Sequence, residues 1–415
     1  MRWFEAALSC CLVAVASAGK LFPKTNVGCP LNHSLCDSQH IVSTVLSTNS
    51  SLNYVYLWSD VGVPAIAVAR SPKASSHKLN IDWNVDAETP EDEPVFSVDL
   101  PVEYVQTTLF TRMFAINTTT YTLQQAAYRE CILANRSWTL GKKTLNANGP
   151  PGVSDVKANF TMVPANVTTA ECEFSVLFAT SDTEGREKLL PHLKYSENST
   201  RLELEFHNFS FIDIDNSTGE VRDLAKIVGM NFVLEVLIIP DTTHPDLQLA
   251  SGKSLDDEYT PSQFWHSDIV NGANKGFHYW KPIVYTNATS RTIKNSAHID
   301  LFKIHNKQKL VTLSEAGITE VPYSLATVLN GGNISLDDVR VLYLTFNCTQ
   351  KNVTVFDMVI GFGEVPSDSV SLTVILIIAL GLGLPSLVLF FGVPTATVYR
   401  RCSKKKGTGG YAPIQ

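Results

Sequence analysis

Three sets of side chains in this sequence have types and spacings that could do chemistry. The first is Asp256-Asp257-Glu258, the densest acidic cluster of the chain. Adjacent carboxylates can ligate calcium or work as an acid–base pair. This run lacks the glycine and the spaced oxygens of a calcium loop. It also precedes Thr260-Pro261-Ser262-Gln263, which has the form of a capping box with proline in the first turn. A helix from Thr260 to about Val270, stopped by Asn271-Gly272, is therefore expected, with the acids placed where the helix dipole favours them. The ten histidines are scattered, and no pair has metal-ligand spacing. His298 and His305 could titrate in an acidic compartment, although a solvated or core position is the plainer expectation. No nucleophile elbow, zincin motif, phosphate loop or dinucleotide fingerprint occurs. Neither an enzyme nor a cofactor is expected.

The second set is a series of glycan acceptors. Thirteen Asn-x-Ser/Thr sequons occur, at Asn32, Asn49, Asn117, Asn135, Asn159, Asn166, Asn198, Asn208, Asn216, Asn287, Asn333, Asn347 and Asn352. An oligosaccharide is added to such an asparagine only on the lumenal side and only at a surface position. The third set is cysteine. Five cysteines share the region of the sequons: Cys29, Cys36, Cys131, Cys172 and Cys348. An oxidising lumen favours pairing. Cys29 with Cys36 closes the shortest loop, and Cys131 with Cys172 is the next candidate pair, which leaves Cys348 odd. Cys402 lies outside this region, as either a palmitoylation site or an idle thiol.

These groups need a membrane topology to put them in a lumen. Residues 1–18 have a basic start at Arg2, a short apolar run and Ala16-Ser17-Ala18, the pattern of a cleaved signal peptide. Leu372 to Val398 carries no charge over 27 residues, enough for a membrane helix. Arg400, Arg401, Lys404, Lys405 and Lys406 follow it and mark the cytosolic side. The expected plan is a signal peptide, a lumenal ectodomain over 19–369, a span over 370–398 and a cytosolic tail over 399–415. In the span, Ala379, Gly383 and Ser386 fall on one side, where another helix could pack closely. The tail ends with Tyr411 and Ile414 in a Tyr-x-x-apolar pattern after Gly409-Gly410. An extended segment of that kind can lay alternate side chains into pockets of a clathrin adaptor, and the pattern resembles the lysosomal and endosomal sorting tails of single-span membrane glycoproteins. The chain has a net charge of −7; with +5 on the tail and a balanced signal peptide, about −12 is left on the ectodomain. That acidic surface argues against nucleic acid as a partner.

The ectodomain reads as mainly β. Period-two alternation occurs over Leu79–Val85, Phe96–Leu100, Cys172–Phe178 and Leu202–Phe206, the last opposite Arg201, Glu203 and Glu205 on a face expected to be wet. The aromatic parity changes after Phe206, which predicts a bulge near His207. Phe232 to Ile239, broken only by Glu235, predicts a central strand. Tyr54–Trp58 and Ala65–Ala69 predict a strand–loop–strand, and Val339–Phe346 with Val353–Ile360 a closing pair. The architecture expected is a sandwich-like ectodomain of two β subdomains, with a break near residues 220–250, plus one C-terminal transmembrane helix.

The block Ser254-Leu255-Asp256-Asp257-Glu258-Tyr259-Thr260-Pro261, followed by Phe264, resembles the glycosylated lysosomal membrane protein family. So do Gly276-Phe277-His278-Tyr279-Trp280-Lys281-Pro282-Ile283 and Tyr54-Val55-Tyr56-Leu57-Trp58 running to Gly62-Val63-Pro64-Ala65. The span with Leu382-Gly383-Leu384-Pro385 and the tyrosine-based tail are also similar. The resemblance implies a non-enzymatic accessory subunit. It would bind a multi-span major facilitator transporter of the lysosomal membrane, one that exports dipeptides, and shield it from lumenal proteases. The alternative is a self-sufficient glycoprotein of the lysosomal glycocalyx.

Overall fold

The computed structural model describes residues 20–26, 29, 41–47, 52–72, 101–117, 130–132, 137–140, 155–163, 170–187, 193–214, 218, 221–223, 230–241, 247–254, 262–269, 276–285, 293–296, 311–331, 334–346, 353–366 and 372–405. In chain order the strands are β1 Lys20–Thr25, β2 Ile41–Ser47, β3 Leu52–Ser59, β4 Ala65–Pro72, β5 Tyr104–Asn117, β6 Glu130–Ile132, β7 Ser137–Leu140, β8 Asp155–Val163 and β9 Ala170–Ser181. They continue with β10 Gly185–Arg186, β11 Lys194–Tyr195, β12 Ser199–Ile214, β13 Val221–Asp223, β14 Met230–Ile239, β15 Leu247–Ser254 and β16 Ser262–Ile269. The last are β17 Gly276–Tyr285, β18 Ile293–Ser296, β19 Val311–Thr312, β20 Arg340–Phe346 and β21 Val353–Phe362. The helices are a 3₁₀ helix Leu325–Asn330, α1 Leu372–Leu387, a π turn Val388–Gly392 and α2 Val393–Lys405.

Two large antiparallel sheets result. The first runs β1-β2-β3-β4-β5-β14-β20-β19, with β6 also on β5; the second runs β15-β16-β17-β21-β12-β9-β8-β7, with β13 on β12 and β18 on β17. The β3–β4 pair and the central place of β14 are as the apolar runs predict. Register shifts between His207 and Ser210 of β12, the bulge that the change of parity indicates. Three expectations differ. Residues Ser262–Ile269 form a strand, not a helix, because β15 and β17 offer backbone partners along both sides. Tertiary pairing overrides a local capping pattern. The segments expected as a closing pair enter different sheets, β20 beside β14 and β21 between β17 and β12. The face of β12 opposite Leu202 and Leu204 is not wet, since Arg201 and Glu203 are buried as well. The alternating runs Leu79–Val85 and Phe96–Leu100 lie outside the described residues.

The region 220–250, where a subdomain break is expected, contains β14, which crosses into the middle of the first sheet. The sheets thus draw on interleaved parts of the chain, and residues Met1–Pro366 form one compact unit, with Ser367–Gln415 a second. Tyr54 and Tyr104 of the first sheet both pack on Phe362 of the second, with ring centroids 5.3 Å apart in each pair. Trp58, Phe110, Phe178, Leu202, Phe356 and Met358 are buried in the same sandwich.

The first sheet is covered on its other face too. Val55, Leu57, Ala65, Ala67, Ala69, Val233, Leu237 and Tyr343 join Leu313, Leu325, Ala326, Leu329 and Val339 in one apolar core. The small row Ala65, Ala67 and Ala69 gives the 3₁₀ helix room to lie close. The β3–β4 loop anchors this cover: Val63 N donates to Tyr323 O at 2.9 Å, and Leu325 N donates to Val61 O at 3.1 Å. Gly62 between them has φ +76°, and a Cβ there would sit 2.5 Å from Tyr323 O. Two penalties coincide, a left-handed backbone and a backbone collision. Gly62→Ala should therefore cost about 1–3 kcal/mol or more. Gly317→Ala, at φ +75° with nothing within 4 Å, should cost less. Denaturant midpoints of the two variants check this, and equal losses would contradict it.

Candidate functional surfaces

The two sheets meet along a seam that contains polar groups. Thr108 Oγ1 and His278 Nε2 are 2.8 Å apart. Gln106 Nε2 donates to Gly361 O at 3.3 Å. A Cβ at Gly276 would lie 2.5 Å from the Tyr104 hydroxyl and 2.7 Å from Gln106 Oε1, so a larger residue where β17 crosses β5 would require the ends of those side chains to shift. Two of the blocks that carry the family resemblance, Tyr54–Trp58 and Gly276–Ile283, thus lie on β3 and β17, the strands on either side of the seam. The third block continues past Ser254 into residues outside the described ones, including Asp256, Asp257, Glu258 and Thr260.

His278 is completely buried, and its Nδ1 has no hydrogen-bond partner. Burial lowers its pKa to about 3, so the ring stays neutral at mildly acidic pH. His298 and His305 lie outside the described residues.

The second sheet carries a buried ion cluster on its outer face. Arg201 donates from Nε to Asp357 Oδ1 at 2.8 Å, and its terminal nitrogens bind Glu203 and Glu187. Asp357 is fully buried, and Arg201 and Glu203 are nearly so. The β10–β11 hairpin bears Glu187 and Leu193 in its connection, and Leu193 packs on Phe277, Tyr279 and Val359. Burial acts to lower the Arg201 pKa, but Asp357, Glu203 and Glu187 outweigh it and hold the guanidinium charged. On the first sheet Arg112 grips both oxygens of Glu235, at 3.0 and 2.9 Å, and Thr111 donates to the same carboxylate at 2.7 Å. This lies at a register shift where β5 pairs with β14. The sequence reading missed both clusters. The available signal was a single charge inside each otherwise apolar strand, Asp357 in β21 and Glu235 in β14.

Four sequon asparagines fall within described residues: Asn117 at the end of β5, Asn159 in β8, Asn198 in the turn before β12 and Asn208 at the β12 bulge. Asn159 stands opposite Leu177 in the β8–β9 register. Asn32, Asn49, Asn135, Asn166, Asn216, Asn287, Asn333, Asn347 and Asn352 lie outside the described residues. Cys29 is disulfide-bonded. Cys36 and Cys348 lie outside the described residues. Cys131 is on β6 and Cys172 on β9, strands that touch although they belong to different sheets.

In the C-terminal unit the described residues 372–405 run as one continuous helix. Residues Leu376–Arg401 are long and apolar enough to cross a membrane. The helix runs to Lys405, beyond the expected end at Val398, so Arg400, Arg401, Lys404 and Lys405 are helical. It continues through Pro385, which removes one backbone donor. The Ser386 hydroxyl donates to Leu382 O at 2.7 Å. The π turn Val388–Gly392 immediately precedes Pro394, whose ring would clash with the Phe390 carbonyl in a regular α-helix. Ala379, Gly383 and Ser386 all lie in α1 on one side, and nothing approaches within 4 Å of a Cβ built on Gly383. The sorting residues Tyr411 and Ile414 lie outside the described residues.

A two-sheet antiparallel β unit and, among the described residues, one membrane-capable helix define the class as a single-span membrane protein with a β-sandwich ectodomain. The chain belongs to the glycosylated lysosomal membrane protein family, whose model it matches over residues 42–403. It is 26% identical over 375 residues to glycosylated lysosomal membrane protein A of Xenopus laevis, covering 86% of this chain and 85% of the relative. It is 25% identical to the glycosylated lysosomal membrane protein of Danio rerio, covering 89% and 85%, and 26% identical to that of Bos taurus, covering 84% and 81%. The protein is thus a lysosomal membrane glycoprotein with a single C-terminal span. The relatives' names describe a membrane glycoprotein and indicate no catalytic activity.

The buried histidine gives a pH dependence with a definite sign. Unfolded His278 takes a proton near pH 6.5, whereas the folded ring does so only at about 3. Its contribution is fully present above pH 6.5 and is lost as the pH falls, by about 2–3 kcal/mol at pH 4.5. Replacement by His278→Gln should reduce the stability difference between pH 7.5 and 4.5 by that amount in chemical denaturation. Identical pH slopes for the two proteins would show that the imidazole is not held neutral.

Proposed function

We infer that this protein is a non-enzymatic accessory subunit of a multi-span major facilitator transporter in the lysosomal membrane. Its ectodomain lies over the lumenal loops of the transporter and protects them from proteases. The observation that carries this reading is the combination, in a member of this family, of a doubly covered β sandwich with one apolar helix. Large side chains of that helix, including Leu376, Ile377, Leu382, Phe390 and Phe391, are uncovered, as is the small-residue side at Gly383. A second membrane helix can approach Ala379, Gly383 and Ser386 closely. The ectodomain is lumenal after removal of residues 1–18, and its sugars and its Cys29–Cys36 and Cys131–Cys172 bonds resist the lumen. A Cys131–Cys172 bond would tie the two sheets together. Tyr411 and Ile414 address the complex to lysosomes through a clathrin adaptor.

Isolation of the tagged protein from lysosomes in mild detergent should bring down a near-stoichiometric transporter. Deletion of the protein should shorten the lifetime of that transporter without changing its synthesis. No co-purifying transporter and unchanged abundance would favour the self-sufficient glycocalyx component. Tyr411→Ala should shift the protein to the cell surface, as read by surface biotinylation. An unchanged lysosomal pool would mean that a partner supplies the address.

A further inference from the structure

The helix runs on past the membrane segment, and its last turns carry a pattern that does more than mark a side of the membrane. Arg400-Arg401-Cys402-Ser403 places two guanidinium groups three and two positions before a serine hydroxyl. All four residues lie within α2, and Arg400, Arg401 and Ser403 are exposed. The hydroxyls of Ser386, Thr395 and Thr397, earlier in the same helix, donate to its own carbonyls. Paired arginines at these positions suit a serine kinase whose substrate groove is lined with carboxylates. Arg–carboxylate bonds are strong and geometrically specific.

Ser403 is also within reach of such an enzyme. The uncharged run Leu372 to Val398 has 27 residues, about 40 Å of helix. Centred on a hydrocarbon core of about 30 Å, it puts Ser403 about 12 Å past the cytosolic edge of that core, outside a headgroup layer of about 5–8 Å. The helix ends two residues later at Lys405, so Ser403 belongs to the last turn. The final carbonyls of a helix have no intrahelical donor, and its last turn opens at little cost. A kinase can therefore bind this segment extended.

A phosphate there would enter a dense positive field. Arg400, Arg401, Lys404 and Lys405 fall at i, i+1, i+4 and i+5, on one side of the helix, and Lys406 follows in the sequence. A cluster of this size just past the cytosolic end of a span is attracted to the anionic lipids of that leaflet. Phosphoserine carries about −1.5 to −2 at neutral pH, which would leave roughly +3 of the five positive charges.

We propose that Ser403 is a phosphorylation site for an arginine-directed serine kinase, and that its phosphate is a charge switch that releases the end of α2 from the anionic leaflet. Ser403 Oγ attacks the γ-phosphorus of ATP in the kinase. A new O–P bond forms, the bond from that phosphorus to the β,γ-bridging oxygen breaks, and ADP leaves with the electron pair. The hydroxyl proton passes to a carboxylate of the kinase. This requires a cytosolic tail and is independent of the accessory-subunit reading.

The test uses the full-length protein in nanodiscs of phosphatidylcholine with and without phosphatidylserine. The catalytic subunit of cyclic-AMP-dependent protein kinase and ATP are added, and site-resolved mass spectrometry reads the product. Phosphate should appear at Ser403 and be lost in Ser403→Ala. Arg400→Ala and Arg401→Ala should each slow its incorporation about tenfold, the factor expected of one charge-assisted pair. Hydrogen exchange of the amides after Val398 gives the second readout. Phosphatidylserine should slow that exchange in the unmodified protein. Phosphorylation should then speed it roughly twentyfold, since each charge at such a surface is worth about fivefold in binding. Phosphate only at Thr408, which follows Lys405 and Lys406, would overturn the proposal. So would arginine variants modified as fast as the wild type, or exchange that neither phosphatidylserine nor the phosphate changes. Absence of phosphorylated Ser403 from the protein of cells treated with phosphatase inhibitors would overturn it as well.

Discussion

Burial on both faces is the constraint to which the rest of the ectodomain answers. The first sheet lies between the second sheet and the 3₁₀ cover, and part of the second lies under the β10–β11 hairpin. A charge in such strands has no water to turn to, and an unpaired buried ion costs several kcal/mol. Each buried charge named above is therefore met by opposite charge. Arg201 gathers Asp357, Glu203 and Glu187, and Glu235 is held by Arg112 and Thr111. Such clusters favour one strand register, since a slip by one residue would carry a charge into the apolar sandwich.

The same constraint explains the seam. Two aromatic sheets could slide on one another, but the Thr108–His278 and Gln106–Gly361 bonds and the close approach at Gly276 pin a single alignment. Two of the stretches that resemble the family, Tyr54–Trp58 and Gly276–Ile283, lie on strands that meet at this seam. Interleaving adds to this, because β14 and β20 return to the first sheet after the chain has built much of the second. Neither sheet can be completed without the other.

Much of the molecule was legible in the sequence. The span, the basic stop, β3, β4, β9, β14 and the β12 bulge follow from hydropathy and from one change of parity, because each depends on neighbours within a few residues. The 3₁₀ cover was not legible: Leu325–Asn330 is short, and it is held by the distant turn at Gly62. The strand Ser262–Ile269 was misread for the same reason, since its capping pattern is local and its partners β15 and β17 are not.

The sequence by itself determined the single C-terminal span, the positions of the sequons and the β class, because membrane insertion, acceptor sites and strand alternation are read from contiguous residues. Only the tertiary structure decided which strands are neighbours, that both faces of the first sheet are covered, and that Arg201 meets Asp357 from 156 positions away. It alone made His278 a buried neutral base instead of a solvated one. Long-range pairing is set by which surfaces exclude water together, and no short window of the chain contains both sides of such a contact.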